Sequence, residues 1–221
     1  MHIEPGLVAP AKMILAYATA AGAGAWTARL AWEAIRERSA ASLVARSAAT
    51  TALVFSFFEV LPHYPVGVSE VHLILGSTLL LIFGAAPAAI GLALGLLMQG
   101  LFFAPFDLPQ YAANMTTLLV PLFAIKALAD RIVAPATPYV DLKYRQALAL
   151  STTYQGGIVA WVAFWAFYGQ GFGAWESVAT FGAAYMLVVL IEPLVDLAVL
   201  AGAKSVRGLA RTGLVTPRLF A

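Results

Sequence analysis

An all-α membrane bundle of about seven transmembrane helices is the fold class this sequence predicts, and three observations predict it. Of its 221 residues, 62% are hydrophobic and 11% charged, where a soluble domain carries roughly 25% charged and about 45–50% apolar residues. Too little polar surface remains to cover a water-exposed globule, so the chain must face lipid or its own helices. Apolar stretches of spanning length, about 20 residues each, recur along it. The basic residues gather at alternate connections, the pattern expected of a multi-pass protein. Strands are not expected, because open sheet edges cannot sit in lipid and the alternation of a membrane barrel is missing.

The first span is 11–32 and the second is 44–61, closing at Pro62. The third, 71–83, is short and ends at Gly84. The fourth, 87–103, opens on Pro87, at a helix start where a missing N–H costs least. The fifth is 112–133, the sixth 145–168 and the seventh 177–203. Small residues crowd these segments, as in Ala18-Thr19-Ala20-Ala21-Gly22-Ala23-Gly24-Ala25. Such faces let helix backbones approach closely, either for bundle packing or for docking a partner helix. With no internal repeat or low-complexity linker, residues 1–221 read as a single membrane domain.

Charge orients the bundle. Arg29, Arg36, Arg38 and Arg46 flank the first connection, and Lys126, Arg131, Lys143 and Arg145 flank the fifth. Lys204, Arg207, Arg211 and Arg218 fill the tail. With seven spans these twelve share one side and only Lys12 falls on the other, whereas an even count would split them. The N-terminus is then outside and the C-terminus cytoplasmic. The external segments are 1–10, 63–70, 104–111 and 169–176. No positive region precedes an apolar stretch at the start, so a signal peptide is not expected and Met1 is expected to be kept.

Several chemistries are not expected. Cysteine is absent, which removes disulfides and thiolate metal sites. The net charge of +2 comes with no basic run interleaved with aromatics, so nucleic acid is not an expected partner. No phosphate-cradling GxxxxGK[ST] and no HExxH occur. Asp107 and the few serines form no recognisable triad with the histidines. The chain reads as a non-enzyme that binds no nucleotide itself.

The three histidines, His2, His63 and His72, all fall at the predicted external face. A histidine at position two offers three nitrogens from one short segment: the Met1 amine, its own backbone amide nitrogen and its imidazole. These form two fused chelate rings, and a fourth nitrogen would complete a square plane, which favours Ni(II) or Cu(II). Binding must displace protons from the amine and the amide. Against this stands the fact that many chains begin Met-His by chance. His72 is the better fourth ligand, opening the third helix after a flexible Pro65-Val66-Gly67. His63, between Pro62 and Pro65, is a spare ligand, an access-route residue or merely a loop histidine.

Three blocks carry a resemblance. They are Met1-His2-Ile3-Glu4-Pro5-Gly6, the loop Gly67-Val68-Ser69-Glu70-Val71-His72-Leu73-Ile74-Leu75-Gly76, and Gln99-Gly100-Leu101-Phe102-Phe103-Ala104 followed by Asn114-Met115. In order and spacing the chain resembles the CbiM/NikM family, the substrate-binding membrane (S) component of energy-coupling-factor cobalt and nickel importers. The blocks span about the first 120 residues, and the rest matches only as generic membrane helices. The resemblance implies Co(II) or Ni(II) as transported substrate, held by the Met1 amine, the His2 amide and imidazole, and His72. It implies an N-terminal tail, 1–10, folded into the external mouth. It implies a prokaryotic cytoplasmic (inner) membrane and partners: a membrane coupling (T) subunit, two ATPase subunits and a small accessory membrane subunit. Gln99 and Asn114 would anchor the tail by hydrogen bonds, or else bridge helices. The chain departs from the family at Glu4-Pro5, where the family has Pro-Asp, and at Glu70-Val71, one residue longer than the family loop. The extra residue brings Glu70 near the site, where a carboxylate suits Co(II) better than square-planar Ni(II).

Glu192 and Asp196 lie one turn apart in the seventh span, beside Pro193. Intramembrane acids are costly and usually functional. They read as a proton or ion relay, or as an interhelical pair with Lys or Arg. Glu59, near the outer end of the second span, would line an access route. Two other functions stay open beside the importer subunit: a proton-coupled secondary metal transporter using the two acids, and a non-transport accessory subunit of a larger membrane complex.

Overall fold

The computed structural model describes residues 3–209, the side chains of 207–209 excepted. The described residues form seven α-helices: α1 (Met13–Glu37), α2 (Ala40–Glu59), α3 (Gly76–Phe83), α4 (Ala85–Phe102), α5 (Tyr111–Ile132), α6 (Tyr144–Gln170) and α7 (Trp175–Leu209). An antiparallel hairpin of β1 (Tyr64–Val66) and β2 (Ser69–Val71) lies between α2 and α3. Four helical stretches are long and apolar enough to cross a membrane: Ala40–Glu59, Ala85–Phe102, Pro105–Ile132 and Tyr144–Val206. The last of these turns at Gly171–Ala174 and so comprises α6 and α7. Surface composition agrees with lipid contact, since Leu187, Leu190 and Leu194 of α7 are each 63–64% exposed. The chain is an all-α, multi-pass membrane protein.

Each helix has a legible local cause. Ser39 caps α2, its Oγ accepting from Ser42 N at 3.1 Å, an arrangement worth typically ~1 kcal/mol. The buried residues of α2 are Leu43, Ser47, Thr50, Val54 and Phe58, a stripe at three- and four-residue spacing. It faces α4, where Gly91 and Gly95 lie one turn apart against Thr50 and Val54. Thr50 Oγ1 also donates to Pro87 O at 2.7 Å. These helices meet backbone to backbone, the small-residue packing that lipid favours. A Cβ at Gly95 would lie 2.6 Å from Val54 Cγ1 and 3.1 Å from Phe55 N. Gly95→Leu is therefore expected to lower stability by about 1–3 kcal/mol through overpacking. Gly22→Leu on α1, where an added Cβ meets nothing within 4 Å, serves as control. Thermal unfolding in detergent checks this, and equal midpoints for the two variants would refute the packing.

Two expectations are corrected. Strands do occur: the hairpin is tolerated because little edge is left open. β1 carries Pro65, which has no N–H to leave unpaired, and β2 pairs outward with Ile3 through a bridge to Ser69. The third helix begins at Gly76 and not at residue 71, so His72 precedes it in irregular backbone. At eight residues and about 1.5 Å per residue, α3 is too short to cross a hydrocarbon core of about 30 Å. Its C-terminus stops at Gly84, with φ +92°, where Arg46 Nη1 donates to Phe83 O at 2.7 Å. Elsewhere helices outrun the apolar stretches that signalled them: α1 continues through Glu33 and Arg36, and α7 through Lys204.

The core gathers between the helices that follow the hairpin, around fully buried Trp165, Tyr154, Tyr185 and Phe181. Tyr154 lies against Gly76, where its ring occupies the space a side chain would need. The start of α3 is thereby pressed directly onto α6.

Candidate metal site

The hairpin is the platform of the site. Its register pairs Tyr64 with Val71, Pro65 with Glu70 and Val66 with Ser69, leaving Gly67-Val68 as a two-residue turn. Such turns need a positive φ at the first central position, which glycine supplies without strain; Gly67 has φ +63°. The same glycine lies against the backbone of α7 at Ser177 O and Phe181 N, with no room for a Cβ. The turn is therefore clamped to α7, and His72 follows three residues after β2 begins.

The N-terminal tail packs onto the hairpin. Glu4 N donates to Val68 O at 3.1 Å, and Ile3 N donates to Asn114 Oδ1 of α5 at 2.8 Å. Ile3, Leu7 and Val8 are buried, and Leu7 O lies against Gly169 at the end of α6. Lys12 Nζ donates to Tyr168 O at 2.8 Å and Gly169 O at 2.9 Å, placing a cation on the terminal carbonyls of α6. The tail is thus pinned by three buried side chains and tied to α5, α6 and β2. Met1 and His2 lie outside the described residues.

His72 is 1% exposed. Its ring meets Phe58 of α2 edge-on, centroids 4.6 Å apart at 77°. The His63 ring lies 6.5 Å away at 64°. His63 Nδ1 is 3.2 Å from Leu61 O; with the proton on Nδ1 it donates to that carbonyl, and Nε2 is left as a ligand nitrogen. Gln99 of α4 donates to Phe58 O and Glu59 Oε2, both at 3.3 Å, bracing the end of α2 behind the Phe58 ring. Of the two predicted anchors, Asn114 touches the tail at Ile3; the contacts of Gln99 among the described residues include Phe58 and Glu59 of α2. The Glu4 carboxyl is pushed above its ordinary range, first by burial and then by the negative charges of Glu70 and Asp107. The tail and the hairpin therefore bring Glu4 near Glu70 and Asp107.

The two acids of α7 reach the same segment from beneath. Glu192 Oε2 accepts from Ile74 N at 2.7 Å and Oε1 from Leu75 N at 2.8 Å. The Gln155 amide of α6 also donates to Glu192, and Tyr185 OH donates to Gln155 Oε1 at 2.7 Å. Asp196 accepts from Ser77 Oγ at 2.6 Å and Thr78 Oγ1 at 2.5 Å. The partners of the acids are backbone amides, hydroxyls and a carboxamide. Sequence reasoning missed these partners and the contact of Phe58 with His72. A phenylalanine in an apolar helix carries no signal, and the acids stand more than a hundred residues from the segment they hold.

Chemically, the described residues offer imidazole nitrogen and carboxylate oxygen, a mixture suited to first-row divalent ions. Among the described residues, no group of three or more His, Asp or Glu side chains is placed to hold a metal ion by itself. A complete coordination sphere needs further donors.

Comparison with known proteins bears on what this arrangement is for. A family profile described as the cobalt uptake substrate-specific transmembrane region, CbiM, matches residues 2–209. A crystal structure of a truncated transition metal transporter superimposes with a TM-score of 0.68 at 18% identity, covering 91% of this chain and 97% of that one. At that identity the likeness is one of fold. A comparison with curated proteins finds no match.

Proposed function

Because this chain belongs to the CbiM family of cobalt-uptake substrate-specific transmembrane proteins, we propose that it is the substrate-capturing subunit of an energy-coupling-factor importer for Co(II) or Ni(II). The metal is held by the Met1 amine, the amide and imidazole nitrogens of His2, and the His72 imidazole. The observation that carries this reading is the antiparallel bridge of Ile3 to Ser69. Ser69 is three residues from His72 along the chain, and Met1 is two from Ile3. Asn114 supports the reading by fixing the Ile3 amide.

The four nitrogens favour a square-planar ion, while Glu70, two residues before His72, is the carboxylate that would shift the preference towards Co(II). Capture takes place at the external face of a prokaryotic cytoplasmic membrane, with the N-terminus outside and the C-terminus inside; in this seven-span plan α3 completes the third crossing together with the segment 72–75 that leads into it. Release is inward and is driven by two ATPase subunits through a membrane coupling subunit, with a small accessory membrane subunit beside them. This chain binds no nucleotide and catalyses no reaction.

The test is chemical modification of the chelate without touching the fold. The chain purified with a free Met1 is expected to bind one Co(II) or Ni(II), read by mass spectrometry and titration. Adding one residue before Met1 turns the amine into an amide and displaces it. That variant is expected to bind at least about 100-fold more weakly, the upper end of what loss of supporting contacts alone costs. Equal affinity in the two proteins would sink the chelate. No metal in the free-Met1 protein would favour the accessory-subunit reading.

A further inference from the structure

We propose that Glu192 and Asp196 are positioning residues for His72: they grip the first residues of α3 from below and so hold the imidazole in place. The side chains are buried, at 0% and 2% exposure, one turn apart on α7. Each of their four carboxylate oxygens accepts from a different residue of the segment 74–78, namely Ile74, Leu75, Ser77 and Thr78, and Glu192 accepts from Gln155 as well. The residue skipped between them, Gly76, is the one pressed against Tyr154. One helix thus holds the segment on one side and α6 closes it on the other.

The grip accounts for the backbone. Leu75 has φ 58° and ψ 31°, a left-handed conformation that disfavours a residue with a Cβ and persists only where its surroundings over-determine it. Glu192 supports it by accepting the two successive amides on either side of the Ile74 Cα, which lead into Leu75. Gln155, held by Tyr185, keeps the carboxylate in place. His72 is three residues upstream of Leu75, so a change in the kink swings the imidazole relative to Phe58. A relay fits these contacts less well. Backbone amides and a carboxamide do not pass a proton on, and they are the donors that surround Glu192.

For the role of His72 this inference rests on the metal reading above; the grip itself does not. The full-length chain in detergent is compared with Glu192→Gln and Asp196→Asn, using Co(II) alone as probe. Glu192→Gln keeps the size but turns an amide donor towards amide donors. Three readouts are taken: Co(II) dissociation rate, the electronic absorption spectrum of bound Co(II), and hydrogen exchange of peptides covering 72–80 in metal-free protein. The expected result is release at least about 10-fold faster, a shifted spectrum, and exchange raised over 72–80 but not in α4 or α5. Raised exchange with an unchanged spectrum and release rate would overturn the positioning role and leave a purely structural one. No change in any readout would overturn the grip. If the unmodified chain binds no Co(II), the metal reading and the positioning of a ligand fall together, while the exchange comparison still decides the grip. Should Glu192→Gln not fold, Ser77→Ala with Thr78→Val removes the donors to Asp196 and is read in the same way.

Discussion

His72→Ala is expected to bind Co(II) or Ni(II) at least about 100-fold more weakly than the unmodified chain, a loss of about 2.7 kcal/mol of binding free energy. The imidazole is buried against Phe58 and beside His63, so water cannot freely take its coordination position. Only the donors of the tail then remain. The tail keeps its own anchors, because Ile3, Glu4 and Lys12 are held by Asn114, Val68, Tyr168 and Gly169, none of which involves the imidazole. The tail should therefore stay docked in the variant, while the cavity left against Phe58 lowers its unfolding midpoint. Titration of both proteins at one pH and one salt concentration checks this. An affinity within a factor of a few of the parent's would remove His72 from the ligand set.

Gly67→Ala should be among the most damaging single methyl additions in the chain. The residue has φ +63°, which costs a non-glycine residue about 1–2 kcal/mol. The added carbon would also overlap Ser177 O and crowd Phe181 N, which lie 3.1 Å or less away. Helix backbone cannot rotate aside, so relief requires the hairpin to lift from α7, and overpacking of this kind costs about 1–3 kcal/mol more. Together these amount to about 2–5 kcal/mol, with a weakened metal site because His72 moves with the hairpin. Gly6→Ala separates the two contributions: Gly6 has φ +85°, but an added Cβ meets nothing within 4 Å. Its loss should be limited to the conformational part. Thermal unfolding in detergent decides, and equal losses for both substitutions would show that the contact with α7 is unimportant.

Hydropathy was enough to show a multi-pass helical chain and roughly where most of its helices lie, because burial in lipid is a property of local composition. The sequence also singled out the tail, His72 and Asn114, since chelation by a terminal amine and an adjacent histidine follows from covalent connectivity, and the resemblance pointed to the rest. Where helix and strand compete inside an apolar run, composition is silent. Val71-His72-Leu73-Ile74-Leu75 reads as the start of a span, yet it is the end of a strand and a kinked loop. The choice was made by Glu192, which takes the amides that a helix would otherwise leave unpaired at its first turn. The sequence by itself determined a multi-pass helical membrane protein with an unusual amino terminus. Only the tertiary structure decided that the short third helix starts at Gly76, that a hairpin clamped to α7 carries His72, and that Glu192 and Asp196 face that helix rather than a lysine or arginine. Those outcomes depend on hydrogen bonds and contacts between residues far apart in the chain, which local propensity does not contain.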